Sequence, residues 1–269
     1  MNIYDYDGAI SQMRKFFQDK KGFTEVPAQS RQSILSACED PATISQYIFG
    51  GINYPLPQTG QMWLEKELLE NPTVEGVFCI TTSYRNEPNP IAGRHEKIFP
   101  MFEFESHGDI TDLIKLEEEL LVYLGFGKPV ELEYEDVASR YQAEILEAKH
   151  EELMQNDYGD IISLQEFPKR THPFWNMEYV GHGKYNKVDV ILYGQETIGS
   201  AVRSCSPTEM REQFYNISNG EYSNLLFNHF GKKRVEDELN EYLSLDMIPR
   251  FGGGIGVTRM IRAMRSLVR

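Results

Sequence analysis

Residues with the chemistry of nucleotide binding cluster between positions 83 and 105. Arg85 stands at the end of a strand-like segment, and its planar guanidinium can pair bidentately with a phosphate or a carboxylate. Arg94 and His95 close the loop that follows, and Phe99 then enters a second strand-like segment, where its ring could stack on a nucleobase. The alternative is a β-hairpin whose charged side chains are only solvated.

A run of glycines near the C-terminus could bring the backbone close to a ligand. The segment 250–259 reads Arg-Phe-Gly-Gly-Gly-Ile-Gly-Val-Thr-Arg, which puts Arg259 about one helical turn beyond Gly256. The run lacks the Gly-Lys-Ser/Thr of a P-loop and the βαβ unit of a dinucleotide-binding fold. It indicates either a ligand-contacting segment or a tight turn before a helix.

A third cluster could hold a metal ion. Asp189 lies in one predicted strand and Glu196 in the next, followed by Gly199 and Arg203. Carboxylates facing each other across a hairpin can bind Mg²⁺, which prefers oxygen ligands and shares them with substrate phosphates. Arg203 would suit a substrate carboxylate. The alternative is a polar pair at the end of an ordinary hairpin.

The elements that must position these residues mix strands and helices without regular βαβ alternation. Hydrophobic patterns predict helices over 9–20 and 113–124, a helix carrying Val137, Tyr141 and Ile145, and a helix after the glycine run. Predicted strands cover 77–83, 99–106, 161–164, 188–193 and 197–203. This order favours an antiparallel α+β domain.

Composition sets the limits on partners and location. The chain has 269 residues and a net charge of −14, with 41 acidic against 27 basic residues. Because binding to a polyanion usually needs a basic patch, this charge makes tRNA an unlikely partner. Neither a signal peptide nor an apolar run long enough to span a membrane is visible, so we expect a cytoplasmic protein.

Taken together and in order, these segments resemble the three motifs of class II aminoacyl-tRNA synthetases of the asparaginyl and aspartyl subgroup. Residues 16–27, ending in Pro27, are similar to motif 1. Tyr84-Arg-Asn-Glu87 through Phe102-Glu-Phe-Glu105 is similar to motif 2, and Gly252–Arg259 to motif 3. Other elements of the family are matched by 57–65, 167–175 and 188–203. The resemblance covers nearly the whole chain.

The resemblance implies a fold and an assembly. The fold would be a single class II synthetase-like catalytic domain over residues 1–269, of the α+β class. It would have an antiparallel sheet of about six strands flanked by helices, and no anticodon-binding domain. Motif 1 would build a homodimer. The cofactors implied are ATP and Mg²⁺.

The resemblance also implies a role for each matching residue. Arg85 and Arg259 would be catalytic, contacting the α- and γ-phosphates, while Phe99 would stack on adenine. The ATP contacts implied are Arg85, Glu87, Arg94, His95, Phe99, Gly254, Gly256 and Arg259. The amino-acid contacts implied are Glu39, Gln61, Glu103 and Arg203. The metal ligands implied are Asp189 and Glu196.

Departures from the family pattern shape the expected activity. The aspartyl type has a lysine at the position of Leu64, and the usual Gly-Gly-Ser before the substrate arginine is Gly199-Ser-Ala201. We therefore expect an AMP-forming amino-acid ligase that adenylates aspartate and transfers it to ammonia, giving asparagine. Three alternatives stay open. The first is the transfer of another amino acid to another amine, protein or carrier. The second is tRNA aminoacylation of the asparaginyl or aspartyl type. The third is an inactive, synthetase-like regulator.

Overall fold

The computed structural model describes residues 1–28, 32–36, 43–92, 94 and 96–267. In this part of the chain the strands are β1 Thr24–Glu25, β2 Gln46–Phe49, β3 Ile52–Pro55, β4 Gly76–Tyr84, β5 Ile98–His107, β6 Val130–Glu133, β7 Ile161–Pro168, β8 Tyr179–Gly181, β9 Lys184–Leu192, β10 Gln195–Val202 and β11 Arg250–Gly256. The helices are α1 Ile3–Arg14, α2 Ser33–Ser36, α3 Gln61–Glu70, α4 Ile110–Tyr123, α5 Tyr134–Arg140, α6 Ala148–Tyr158, α7 Pro207–Asn216, α8 Glu221–Phe230, α9 Lys232–Leu243 and α10 Val257–Ser266.

One large sheet organises the molecule. Its order is β1-β4-β5-β11-β10-β9-β7-β6, with β8 pairing to β9, so nine strands belong to it within the described residues. The stretch from β4 to β7 is antiparallel throughout, while β1 and β6 join its two edges in parallel. The α+β class is confirmed. The number of about six strands, which the resemblance implied, was too low, because the sheet adds β1, β6 and β8 to the six antiparallel strands from β4 to β7.

Strand alternation gives this sheet two chemically different faces. On β5, for example, Phe102 and Phe104 point to one side and Glu103 and Glu105 to the other. The apolar side packs against α1, α4 and α10, where the Phe17 ring lies 5.1 Å from the rings of both Phe102 and Phe104. The opposite side, which we call the site face, therefore carries polar residues and glycines of β5, β9, β10 and β11.

Local sequence explains the helices that cover the apolar side. Asp109 caps α4 by accepting hydrogen bonds from the backbone N–H groups of Thr111 (2.8 Å) and Asp112 (3.3 Å). The predicted leucine stripe is buried on this helix, and Gly125 follows it with φ +93°. The helix predicted over 9–20 is also present. It begins earlier, at Ile3, and its last turn, Lys15–Lys20, is a π-helix.

Three sequence predictions were wrong or incomplete. Of the two interpretations of the glycine run, the tight turn is wrong, because Gly252–Gly256 forms most of the buried strand β11. The helix expected through Tyr141 and Ile145 ends at Arg140, and the chain then starts a separate helix, α6. Helices α7, α8 and α9 were not predicted. They build a second core with α3, centred on the buried Trp175.

No helix in the described part of the chain is long and apolar enough to cross a membrane.

Candidate active site

Two adjoining cavities open on the site face of the sheet. The smaller has a volume of about 250 Å³ and the larger about 530 Å³, and Gln61, Glu196 and Gly199 line both. The smaller cavity is also lined by most of the residues that were predicted to bind ATP, which are Arg85, Glu87, Arg94, Phe99, Gly254, Gly256 and Arg259. Asp189 lines the larger cavity. Residues distant in sequence thus meet where the motifs predicted a substrate site, while Glu39 and His95 lie outside the described residues.

Strand register explains how these residues meet. Asp189, Gly199, Gly254 and Glu103 are partners in one continuous row across β9, β10, β11 and β5. The two glycines in this row leave space above the sheet. A Cβ atom at Gly254 would lie 2.8 Å from Nε2 of Gln61, so Gln61 can lie over the strand only because no side chain is there.

The smaller cavity concentrates positive charge beside an aromatic ring. The guanidinium carbon of Arg85 lies 5.5 Å from the centre of the Phe99 ring. Arg259 donates to the backbone carbonyl of Glu196 at 2.7 Å, and Arg94 donates to a carboxylate oxygen of Glu151 at 2.7 Å. With Arg262, four arginines line this cavity among the described residues. Guanidinium groups around one cavity are suited to a polyphosphate, because each can donate two hydrogen bonds to phosphate oxygens.

Glu151 is a charged residue at the site that the sequence did not indicate. It lies on α6, and besides binding Arg94 it accepts a 2.6 Å hydrogen bond from the backbone N–H of Glu196. Burial, together with repulsion from Glu196, raises its pKa. Glu151 therefore ties α6 to the start of β10, and no motif or spacing in its charged segment marked it out.

Asp189 and Glu196 converge on Gly199, as the predicted metal site requires. A Cβ atom at Gly199 would lie 3.1 Å from a Glu196 oxygen and 3.6 Å from an Asp189 oxygen. The described residues contain no group of three or more potential protein ligands for a metal. Two convergent carboxylates nevertheless fit Mg²⁺, which takes its remaining ligands from water and substrate phosphates.

Lys187 is the second charged residue that the sequence did not indicate. Its Nζ lies 2.6 and 2.7 Å from the two carboxylate oxygens of Asp189 and 3.7 Å from the centre of the Phe167 ring. Burial raises the pKa of Asp189, and the Lys187 ammonium opposes this rise. Lys187 stands two residues before Asp189 on β9, so strand alternation places both on the site face.

Arg203 was predicted to contact the amino acid, but its side chain is buried against other residues of the protein. It lines neither cavity, its side chain is 3% exposed, and its Nε and Nη2 donate to the two oxygens of Glu105 at 3.0 Å each. Nη2 also donates to Gln61 Oε1 at 3.0 Å. Burial raises the pKa of Glu105, against the effect of Arg203. Arg203 therefore reaches the cavities through Gln61, and no sequence pattern indicated Glu105 as its partner.

Glu103 is also fully buried and lines neither cavity. Its carboxylate accepts hydrogen bonds from the hydroxyls of Thr59 and Thr81 and from the backbone N–H of Gly60 at 2.8 and 2.9 Å. Burial raises its pKa. These bonds fix the start of α3, whose first residue is Gln61. Direct contact between Glu103 and the substrate stays a prediction.

A second buried ion pair fixes the same helix at its centre. Glu65 and Arg250 are both fully buried, and their side chains meet at 2.7 Å. Asn176 donates to the other Glu65 oxygen at 2.8 Å. Helix α3 is therefore bound to β5 at its first turn and to β11 one turn later, which holds Gln61 over Gly254.

Comparison with known structures identifies the fold. Asparaginyl-tRNA synthetase from Pyrococcus horikoshii, complexed with asparaginyl-adenylate, superposes with a TM-score of 0.80 at 19% identity, over 98% of this chain and 65% of that one. Asparaginyl-tRNA synthetase from Entamoeba histolytica, also with asparaginyl-adenylate, gives 0.74 at 18%, over 98% and 63%. Aspartyl-tRNA synthetase from the same organism gives 0.71 at 17%, over 98% and 55%. The chain thus spans less than two thirds of each of these proteins.

The sequence itself carries the family signature over almost its full length. No curated protein matches the chain. The profile of the family described as tRNA synthetases class II (D, K and N) matches residues 6–268. The chain belongs to this family of class II tRNA synthetases.

Proposed function

We propose that the protein activates an amino acid with ATP, forming an aminoacyl-adenylate and releasing pyrophosphate. The observation that carries this proposal is the pair of adjoining cavities. One is lined by Arg85, Arg259 and Phe99, the other is larger, and Gln61 lies at their junction. A nucleotide in the first would bring its α-phosphate to an amino acid in the second.

The proposed reaction uses the residues at this junction. A carboxylate oxygen of the amino acid attacks the α-phosphorus, a new P–O bond forms, and the bond to pyrophosphate breaks. Arg85 and Arg259 stabilise the charge that builds up on the phosphate oxygens, because their guanidinium groups are already in place. Magnesium held by Asp189 and Glu196 would neutralise further phosphate charge. No general base is needed, since the nucleophile is an anion.

Pyrophosphate exchange across a panel of amino acids tests this activity. We expect exchange with one amino acid or a few, and a fall in rate of about 100- to 1,000-fold in Arg85→Ala, as for the loss of one preorganised donor. Arg140→Ala is the matched control, because Arg140 pairs with Asp157 on the surface and lines neither cavity. Release of ADP and phosphate in place of AMP would refute the proposed chemistry.

For the substrate, we propose aspartate, with ammonia as the acceptor. Aspartate has two carboxylates, so its β-carboxylate can be adenylated near Arg85 while its α-carboxylate binds in the larger cavity. Ammonia would then attack the β-acyl carbon, a C–N bond would form, the bond to AMP would break, a proton would leave the nitrogen, and asparagine would result. We expect AMP formation that depends on aspartate and rises with ammonium, with asparagine detected by mass spectrometry.

tRNA aminoacylation is the second candidate, and family membership supports it directly, because the structural neighbours are tRNA synthetases. The same assay separates the candidates. Aspartate-dependent exchange without asparagine formation, together with charging of a tRNA 3′ end, would favour aminoacylation. Exchange with an unrelated amino acid would favour transfer to another amine, protein or carrier. Absence of exchange with every amino acid would leave a regulatory role.

A further inference from the structure

Arg94 joins elements that lie on two sides of the smaller cavity. It belongs to the loop between β4 and β5, while its hydrogen-bond partners belong to α6 and to the turn between β9 and β10. Its Nη2 donates to an oxygen of Glu151 at 2.7 Å, and its Nη1 donates to the backbone carbonyl of Gly194 at 3.2 Å. An arginine that was predicted to bind ATP is therefore held by the protein itself.

The contacts of Arg94 leave its guanidinium incompletely satisfied. Arg203 and Arg170 each donate from two nitrogens to the two oxygens of one carboxylate. Arg94 makes one short bond to Glu151, while Glu152, which is 67% exposed, lies 3.4 Å away. The Nε of Arg94 is buried and has no hydrogen-bond partner among the described residues. Since an unpaired buried donor costs free energy, a ligand that accepts from Nε would be favoured.

Arg94 is open to such a ligand, in contrast to Arg203. The side chain of Arg94 is 15% exposed and lines the smaller cavity, whereas Arg203 is 3% exposed and lines neither cavity. A phosphate group carries several acceptor oxygens, so it can bind Nε and Nη2 of one guanidinium together. A phosphate in the smaller cavity would thus replace Glu151 and also satisfy the unpaired donor.

Glu151 keeps a second anchor when Arg94 leaves. The same carboxylate oxygen accepts a 2.6 Å hydrogen bond from the backbone N–H of Glu196, one of the two carboxylates that fit magnesium. A Cβ atom at Gly194 would lie 3.2 Å from Cα of Glu152, so the β9–β10 turn packs closely on α6. Arg94 is therefore held at the metal end of the cavity, where magnesium would meet the outer phosphates of ATP.

We propose that Glu151 is a positioning residue, which holds Arg94 beside the metal site in the free enzyme and releases it to the outer phosphates of ATP. This inference rests on the proposed function. Breaking the ion pair costs part of the binding free energy of ATP, and the new contacts of Arg94 with phosphate offset that cost. AMP has no outer phosphates, so it leaves the pair of Arg94 and Glu151 intact.

Calorimetric titration with α,β-methylene-ATP and with AMP, each with magnesium, tests this role in the wild type and in Glu151→Gln. We expect the Kd of the ATP analogue to fall about 3- to 10-fold, the difference between a hydrogen bond to a charged group and one to a neutral group. The Kd of AMP should not change. The glutamine keeps an oxygen that accepts from the N–H of Glu196, so the start of β10 stays supported.

The variant Arg94→Met shows whether the gain depends on Arg94. It should weaken binding of the analogue but not of AMP, and adding Glu151→Gln to it should give no further gain. An equal gain in the double variant would show that Glu151 acts only by repelling phosphates, which overturns the inference.

Glu152→Gln is the matched control. Glu152 is the next residue on α6, and its substitution removes the same charge from a side chain that is mostly exposed and lines neither cavity. Because an exposed ion pair contributes little, both Kd values should equal those of the wild type.

The outcomes separate this inference from the proposed function. An unchanged or higher Kd of the analogue in Glu151→Gln overturns the role of Glu151, and so does an equal gain for the analogue and AMP. Calorimetry measures stoichiometry together with Kd, so a partly unfolded variant does not imitate these results. If the wild type binds the analogue but supports no exchange with any amino acid, the proposed function fails while the titrations still decide the role of Glu151. If the wild type binds neither nucleotide, both fail.

Discussion

Replacing Gly252 by alanine should disrupt the site, although Gly252 itself lines neither cavity. A Cβ atom at Gly252 would lie 1.7 Å from a carboxylate oxygen of Glu105 and 2.5 Å from the backbone oxygen of Phe104. Side chains do not tolerate such contacts, so Glu105 must move and its two hydrogen bonds with Arg203 must break. The perturbation is therefore a separated ion pair in the buried layer beneath Gln61.

The structure sets the size of the effect. Arg203 and Glu105 are 3% and 0% exposed, and separating a buried pair costs about 3–5 kcal/mol. For a domain of this size, each kcal/mol lowers Tm by about 2–4 °C, so we expect a fall of roughly 10 °C. The KM for the amino acid should rise as well, because Arg203 also positions Gln61.

Calorimetry and pyrophosphate exchange measure the two effects. Gly8→Ala is the matched control, because Gly8 lies within α1 and an added Cβ would meet nothing within 4 Å. Alanine there should stabilise the helix by about 0.5–1 kcal/mol. A Gly252→Ala variant within 1 kcal/mol of the wild type, with an unchanged KM, would refute the reasoning that this glycine exists to accommodate Glu105.

Three further predictions concern other parts of the molecule. Burial raises the pKa of Glu117 on α4 to about 8, so between about pH 4.5 and 8 unfolding releases a proton and stability falls as pH rises. Glu117→Gln should remove a slope of up to about 1.4 kcal/mol per pH unit in urea titrations, and an identical slope in both proteins would contradict this. A homodimer, which motif 1 implies, should give about twice the 31.1 kDa chain mass in light scattering at micromolar concentration, and a monomer would count against it. The net charge of −14 should leave tRNA binding weak at physiological salt, and submicromolar, salt-sensitive binding in a filter assay would oppose that expectation.

The sequence predicted which segments form the site, because motif chemistry and strand alternation are local properties. Strands β4, β5, β9 and β10 were placed within a few residues of their true bounds. Side-chain partners were much harder to predict. Arg203, which directly follows β10, and Glu105 on β5 are separated by β11, and they meet only because Gly252 has no side chain between them. Such a pairing depends on the register of three strands, which spacing along one strand does not reveal.

The same limit applies to helices and to charged side chains outside the motifs. Helices α7, α8 and α9 pack around Trp175 in a segment whose sequence carries no family motif. The predicted strand 188–193 began one residue after Lys187. Nothing in the neighbouring sequence shows that Lys187 shares the site face with Asp189 until β9 is placed in the sheet. The motifs named many of the residues that line the cavities, whereas Glu151 and Lys187, which reach the site only through tertiary contacts, were missed.

The missed residues change how the site should be understood as an electrostatic system. In the described structure, four of its cations each contact a carboxylate: Arg203 with Glu105, Lys187 with Asp189, Arg94 with Glu151, and Arg259 with Glu196. These pairs hold the side chains in position before any ligand arrives, which lowers the reorganisation needed for binding. They also balance the positive charge, so a single anionic group gains little by entering. A ligand with several anionic groups can replace several partners together, and a divalent cation can take up the carboxylates that are released.

On this reasoning the site should discriminate against inorganic phosphate and isolated acidic amino acids. It should bind the amino acid tightly only together with nucleotide and magnesium. Calorimetric titration of aspartate with and without a non-hydrolysable ATP analogue and magnesium measures this coupling, and equal affinity in both conditions would show that the paired cations do not control access.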